Sequence, residues 1–474
     1  MNVNYFCTQV DQIRRRLRRS VWLAVGVVVF WLSSSLPLAA QTNFYTICTN
    51  GPASNRVNVV LFAEGFRAVD YALFRAAATN VANALLATEP FTEYAPYLNV
   101  FAIAVPSAEA GSDHPSSSIA RTTYFSSSYD VSCDCIITMP TNSTGQGRVD
   151  ALAATYLPQM DLAILLVNEP AAPGGSDNGG KTAITATAAN SISYIPVHES
   201  GHVLGKLGDE YSWVNAPGYP DVEEPNTTRE TNRAAIKWNA WIDAGTPVPT
   251  PGYLTEVVGL FAGAHYHSTG WYRPKANCLM NSAGVPFCEV CREALVLSLY
   301  RRARPVQSSL PVSKSFTTTS NQSLAFSLSV LQPATHALSL QWFTNGVALA
   351  GATNASFSIL PALLGNGTNT VMGRVSDPTP WVRNDPTNSL IQTQSWTVTV
   401  SVPQLQLKSP RWLAGGKFAF QVAGVAPQGF VVQGSSNFVA WTSLATNALV
   451  NGVFAYTNQT SGLPLRFYRA VTPP

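Results

Sequence analysis

A change of pattern near Pro305 constrains this chain more than any other feature. From Arg56 to about Arg304, short apolar runs alternate with stretches of helical spacing. Beyond Pro305 helical periodicity disappears, Ser and Thr rise, and His336 is the only histidine. The first part calls for a layer of helices on a sheet, the second for strands alone. A length of 474 residues accommodates about three domains at roughly 150 residues each.

In the first part, Val57–Phe62, Leu98–Val105 and Asp161–Val167 read as buried strands. Asp70–Thr88 reads as an amphipathic helix, with Leu73, Phe74, Ala77, Val81, Leu85 and Leu86 on its apolar face. Val149–Leu157 also reads as helical. The polar alternation of Thr182–Ala188 suits an edge strand, where an extended peptide could pair. The expectation is an α/β domain with a partly parallel sheet.

In the second part, strands such as Leu324–Val330, Ser339–Phe343 and Trp396–Val400 are punctuated by Asn345-Gly346, Asn366-Gly367 and Asn451-Gly452. Asn-Gly between strands is a hairpin signal. Trp342 stands where an immunoglobulin-like sandwich keeps its core tryptophan, although no cysteine follows Cys291 to make an inter-sheet disulfide. After Pro403, strands at Phe418–Val422, Gly429–Gln433 and Leu465–Ala470 read as a second small β-module.

The N-terminus explains the charge. Residues 14–19 hold five arginines, Val21–Leu32 carries no charge, and small residues lead to Ala40. This is the layout of a secretory signal peptide. The competing reading, an uncleaved anchor, needs about 20 apolar residues, and this run stops at a serine cluster and Pro37. Removing residues 1–40 takes away five arginines and Asp11, leaving 24 basic against 25 acidic residues and turning a formal charge of +3 into −1. The apparent basicity is therefore an export signal, and a nucleic-acid partner is not expected. The expected layout is 1–40 signal peptide, 41–304 catalytic domain, 305–402 immunoglobulin-like sandwich and 403–474 C-terminal β-module. The expected location is extracellular, cell-surface or periplasmic.

Export also bears on the six remaining cysteines, Cys48, Cys133, Cys135, Cys278, Cys288 and Cys291. The Cys288-x-x-Cys291 pair could serve redox or zinc chemistry. In an oxidising compartment the expectation is structural disulfides, drawing on Cys278 and on Cys133 or Cys135.

The chemistry concentrates in Ile195–Tyr211, which reads IPVHESGHVLGKLGDEY. His198-Glu199-Ser200-Gly201-His202 is HExxH. On a helix the two histidines share a face and can reach one Zn2+ ion. Glu199 is then placed to take a proton from water beside that ion. A catalytic zinc needs a third protein ligand and one open position. The metzincin pattern HExxHxxGxxH would put histidine at 208, where this chain has glycine. Asp209 is the expected ligand, Glu210 the reserve, and His265 and His267 the histidine alternatives.

At these residues the chain resembles the M64 family, the IgA-peptidase-type zinc metallopeptidases. HESGHVLGKLGDEY looks like that family's HExGH…DEY segment. The similarity runs on through Val59–Phe66, Glu89-Pro90-Phe91, Leu98–Ala108, Glu224-Pro225-Asn226, Ile236-Lys237-Trp238, Thr246–Pro251 and Val258–Ala264. It continues through Gly270–Met280 (GWYRPKANCLM) and Phe287–Cys291. It covers about residues 55–300. It implies a zincin fold with metzincin-like features, in which Met280 forms the turn beneath the metal. Many metzincins place a tyrosine two residues later, where this chain has Ser282. Tyr211, Tyr266, Tyr272 and Arg273 are the candidates for stabilising a transition state. The family name carries immunoglobulin A, and no residue here points to that substrate.

The expected function is a secreted zinc endopeptidase acting on protein or peptide, with the C-terminal β-modules suited to contact with a surface or polysaccharide. Two alternatives differ in class. One is a zinc hydrolase of non-peptide amides. The other is a secreted adhesin or binding protein with a vestigial zincin domain.

Overall fold

The computed structural model describes residues 41–212, 222–319, 322–401, 404–426, 428–460, 462 and 465–472. The signal segment 1–40 and the Pro403 boundary lie outside these residues. Among the described residues, no helix is long and apolar enough to cross a membrane.

The chain divides into two units. The first opens with Asn43–Cys48 (β1), Val57–Glu64 (β2), the helix Tyr71–Leu86 (α1) and Leu98–Ala104 (β3). Two short strands follow, Ser128–Tyr129 (β4) and Ile137–Thr138 (β5), then Gln146–Tyr156 (α2) and Met160–Val167 (β6). Gly175–Ser176 (β7), Thr182–Ala186 (β8) and Ile195–Gly205 (α3) come next. Phe261–Ala264 (β9), His267–Arg273 (β10) and Glu289–Arg302 (α4) complete it.

The main sheet has the order β1-β3-β2-β6-β8-β7. Its four central strands are parallel to one another and its two outer pairings are antiparallel. All eight residues of β2 are buried, as a central strand covered on both faces requires. One face packs Phe62, Leu165 and Ile184 against Val149 and Leu152 of α2. On the sheet, α3 packs across β6 and β8, and it also meets α1 and α4. The buried face of α1 is Phe74, Ala78, Val81, Ala82 and Leu85, whereas Leu73 is 62% exposed. The expected apolar stripe is therefore rotated, because Ala78 and Ala82 let the helix approach the sheet where a leucine would hold it off.

The segment expected at the sheet edge is not an edge. Thr182–Ala186 is fully buried between β6 and β7. Its threonines look polar in sequence but are satisfied internally. Thr182 donates its hydroxyl to Gln146 Oε1 at 3.0 Å, and Thr185 donates to the Ala186 carbonyl at 3.2 Å. The outer strand is the two-residue β7, and Ile136 already bridges to Gly175 there. Among the described residues, β7 rather than β8 is therefore the outer strand on this side of the sheet.

Two short segments, Gln332–His336 and Thr379–Ser389, belong to the first unit although they lie between strands of the second in sequence. Each is held by a carboxylate. Glu93 accepts hydrogen bonds from Thr335 N at 3.0 Å and Thr335 Oγ1 at 2.5 Å, and pairs with His336 Nδ1 at 2.7 Å. Glu293 Oε2 accepts from Trp241 Nε1 at 2.7 Å and from Arg383 N at 2.6 Å.

The second unit holds two β-modules. In the first, a sheet of Val306–Leu310, Leu324–Val330 and Ser356–Ile359 accompanies a five-stranded sheet containing Ser339–Thr344, Gly367–Ser376 and Ile391–Val400. Trp342, Trp396, Phe326 and Val371 form their shared core. Asn345 and Gly346 both have positive φ, at 49° and 80°, and Asn451 and Gly452 repeat this at 52° and 76°. These are the conformations for which a hairpin selects Asn-Gly. In the last module two three-stranded sheets enclose Phe420, Val422, Phe430, Val432 and Leu449.

Candidate metal centre

Helix α3 builds the site. Pro196 occupies its first turn, where a missing N–H costs nothing. Gly201 is required by packing: a Cβ there would lie 2.9 Å from Met280 Sδ and 3.2 Å from the Phe287 ring. Gly205 lies close against Leu295 of α4. The helix stops at Lys206, whose φ of 55° turns the chain back.

The turn carries Leu207 and Asp209 under the histidines. His198 Nδ1 donates to the Leu279 carbonyl at 2.9 Å, and His202 Nδ1 donates to the Leu207 carbonyl at 2.7 Å. A carbonyl oxygen only accepts, so both Nδ1 atoms carry hydrogen and the two inward-facing Nε2 atoms are the ones a metal would take, displacing any proton they hold. The two Nε2 atoms are 3.1 Å apart, and Asp209 Oδ1 lies 3.2 Å and 3.3 Å from them. Ligands bound about 2.0 Å from a tetrahedral ion stand roughly 3.3 Å apart. Two imidazoles and a carboxylate are also donors that zinc accepts, and three protein ligands leave a fourth position open. The residues fit a catalytic zinc.

The charges fit too. Burial lowers the His202 pKa, but the Asp209 carboxylate more than reverses this and pushes it up to about 10. His198 is raised in the same sense, burial being outweighed by its hydrogen bond to Asp209. Burial raises Asp209, and His202 and His198 then hold it far below the usual carboxylate range. The group is thus organised around positive charge. Glu199, on the same helix, is pushed up to about 7 by burial.

Tyrosines complete the surroundings. Tyr266 donates its hydroxyl to Asp209 Oδ2 at 2.5 Å, and its oxygen lies 3.1 Å from that of Tyr211. Burial, with the Asp209 charge added, pushes both phenols above their ordinary range. Tyr266 is presented by an unusual turn. It and His265 form the two-residue tip between β9 and β10, with φ of 63° and 53°. Such a tip normally takes Asn-Gly, since a side chain at positive φ is strained. The tip docks on the ligand segment: His265 N donates to the Asp209 carbonyl at 2.9 Å and Tyr266 N to the Tyr211 carbonyl at 3.1 Å.

The other candidates lie elsewhere. Glu210 points away from the histidines: its Oε1 accepts from Asn226 Nδ2 at 2.9 Å and from the Cys291 thiol at 3.2 Å. It is not the third member of the group. His265 stacks on Trp271 with ring centres 4.4 Å apart and pairs with Glu224 at 3.4 Å, and His267 lies on β10. Tyr272 is held by main-chain bonds to Thr228. Arg273 donates to the Ala262 and Gly263 carbonyls. Met280 is fully buried against α3, and its carbonyl accepts from Glu210 N at 2.8 Å. The sequence marks Asn226 only as part of a matching segment and gives it no role; it is buried and clasps Gly208, accepting from the Gly208 N–H at 2.7 Å and donating to the Gly208 carbonyl at 2.8 Å. Its place beside Glu224 and Pro225 in a polar run was the available signal.

The disulfide expectation holds for Cys133 and Cys135 and is corrected for Cys278. Cys133 is bonded to Cys135, two residues along, and Cys278 stands with Cys288 and Cys291 instead. The turn at Asp130–Ile136 brings the first pair together, with Asp130 accepting main-chain N–H bonds from Cys133, Cys135 and Ile136.

Comparison with known families decides the class. The family model described as IgA Peptidase M64 matches residues 46–257 and 252–299, more than half of the chain. The chain belongs to the M64 peptidase family. M64 peptidases are metallopeptidases, and the matched region contains the whole His198–His202–Asp209 group. No curated protein matches the chain significantly. Among solved structures, the apo structure of Bacteroides uniformis beta-glucuronidase 3 aligns at TM-score 0.14 and 10% identity, over 43% of this chain and 28% of that one. A likeness that weak carries no argument.

Proposed function

We propose that this M64 peptidase is an exported zinc endopeptidase with a zincin-like catalytic domain followed in sequence by an immunoglobulin-like sandwich. The observation that carries the reading is the convergence of His198 Nε2, His202 Nε2 and Asp209 Oδ1 within 3.3 Å of one another, with Glu199 on the same helix. A bound zinc ion supplies Lewis acidity for water and for the scissile carbonyl. Glu199 accepts the proton from the attacking water and passes it to the leaving amine. Burial pushes the metal-free Glu199 carboxyl up to about 7, and a cation beside it would bring that down toward the range in which a carboxylate accepts and returns a proton near neutral pH. Tyr266 holds Asp209 in place, and Tyr211 supports Tyr266. The signal-like layout of residues 1–40 is what supports export.

The test is Glu199→Gln. It removes the proton acceptor and keeps the side-chain shape. Casein hydrolysis should fall at least a hundredfold while zinc content stays unchanged, consistent with the size of general-base effects at roughly 10²–10⁴-fold. Wild-type hydrolysis by the variant would reject the mechanism. Hydrolysis of small amides but not of casein by the native chain would reject the peptidase reading.

A further inference from the structure

Directly behind the Asp209–Tyr211 segment lies a second set of ligand-type side chains. Glu210, Cys278, Cys288 and Cys291 are all buried, and one ligand atom of each lies within 4.8 Å of the others. Cys278 Sγ is 3.6 Å from Cys291 Sγ, and Cys291 Sγ is 3.2 Å from Glu210 Oε1. Thiolates bound at about 2.3 Å to a tetrahedral zinc stand roughly 3.8 Å apart, and a thiolate and a carboxylate oxygen roughly 3.5 Å. A disulfide would require about 2.05 Å. The observed spacings are too long for a disulfide and compatible with ligands around an ion.

The composition of the cluster points the same way. Three thiols cannot all pair: one disulfide would leave a third sulfur and a buried carboxylate over. The Glu210 carboxylate is wholly buried, and its Oε2 has no hydrogen-bond partner among the described residues. Oε1 has Asn226 and Cys291 as partners, but a buried polar oxygen left unsatisfied is costly, and a divalent cation would satisfy Oε2. Cys288 caps helix α4, where the helix N-terminus favours a thiolate, and Cys291 sits in the first turn. No member belongs to the His198 group.

We propose that Glu210, Cys278, Cys288 and Cys291 form a closed structural zinc site that braces the candidate catalytic centre. The bracing is visible in the connections. Glu210 follows Asp209 in the chain, and its N–H donates to the Met280 carbonyl at 2.8 Å. Cys278 precedes Leu279, whose carbonyl orients His198 at 2.9 Å. One ion would therefore fix both the segment that carries Asp209 and the carbonyl that sets the His198 tautomer. All four positions around it are filled by protein, so it would not take substrate.

The experiment uses the full exported chain, purified without chelator, as wild type and as the His198→Ala/His202→Ala double variant. Elemental analysis should find two zinc ions per wild-type chain and one in the double variant. After cobalt exchange, both should show a thiolate-to-cobalt charge-transfer band. Peptide mapping with thiol alkylation in chelator and denaturant should find Cys278, Cys288 and Cys291 all reduced. A disulfide between any two of the three, or a wild-type chain without the thiolate band, would overturn the proposal. Because wild type alone gives the band and the thiol map, misfolding of the double variant leaves the test intact. Two zinc ions in a chain inactive on casein would leave this site standing and count against the proposed function alone.

Discussion

Met280 Sδ lies so close to helix α3 that a methyl group on Gly201 would stand 2.9 Å from it. This contact fixes the height of the HExxH helix above the turn that carries Met280. Gly201→Ala sets two effects against each other. Helix propensity favours alanine by about 1 kcal/mol. Overpacking a tight contact costs about 1–3 kcal/mol. Because Phe287 stands at 3.2 Å as well, packing should win and the melting temperature should fall. An unchanged or higher melting temperature would show that Met280 yields freely.

Tyr266→Phe should loosen the metal without unfolding the domain. It deletes the 2.5 Å hydrogen bond to Asp209 Oδ2 and leaves the ring in place. Loss of such a ligand-orienting contact typically costs about 10- to 100-fold in metal affinity or activity. Competition with a metallochromic chelator measures the affinity. Tyr272→Phe, at a residue held by Thr228, should leave it unchanged.

Metal binding should release protons. In the metal-free chain His202 titrates at about 10, so at neutral pH an incoming ion must displace its proton. Affinity should therefore weaken as pH falls. Calorimetry in buffers of different ionisation enthalpy reads the proton release directly, and zero release would contradict this charge assignment. Glu199 titrates at about 7 in the same metal-free chain. A cation beside it lowers that value, so the acid limb of kcat/KM should fall at or below pH 7.

Docking of the Gln332–His336 segment should fail in acid. Burial raises the Glu93 pKa, but hydrogen bonds from Thr335 and His336 outweigh it, and the net shift is downward. A carboxylate depressed on folding contributes stability above its unfolded pKa. That contribution is lost as pH falls through the lower folded value. Hydrogen-exchange protection factors of residues 332–336, corrected for the intrinsic pH dependence of exchange, should fall below about pH 4, near the ordinary Glu range. Glu93→Gln should show faster exchange already at pH 7, and protection equal to wild type would reject the clamp.

How much could be read from sequence depends on how local the physics is. β2, β3 and β6 were legible because buried parallel strands are continuous apolar runs. The adjacency of His198 and His202 follows from helical spacing, and Asp209 lies one turn-back further on. Other features depend on residues distant in sequence. Thr182 looks exposed until Gln146 is known to meet it. The His265-Tyr266 tip carries no Asn-Gly signal, because the docked 209–211 segment, not local preference, holds its positive φ. The three cysteines join Glu210 only once α4 packs beside α3.

The central claim is that His198, His202 and Asp209 hold one ion. Anomalous scattering at the zinc edge, from crystals of the full chain grown without chelator, tests it most directly. The account predicts a peak about 2.0–2.2 Å from His198 Nε2, His202 Nε2 and Asp209 Oδ1 together. A site with no peak among these three atoms, or one completed by a different third residue, would contradict it.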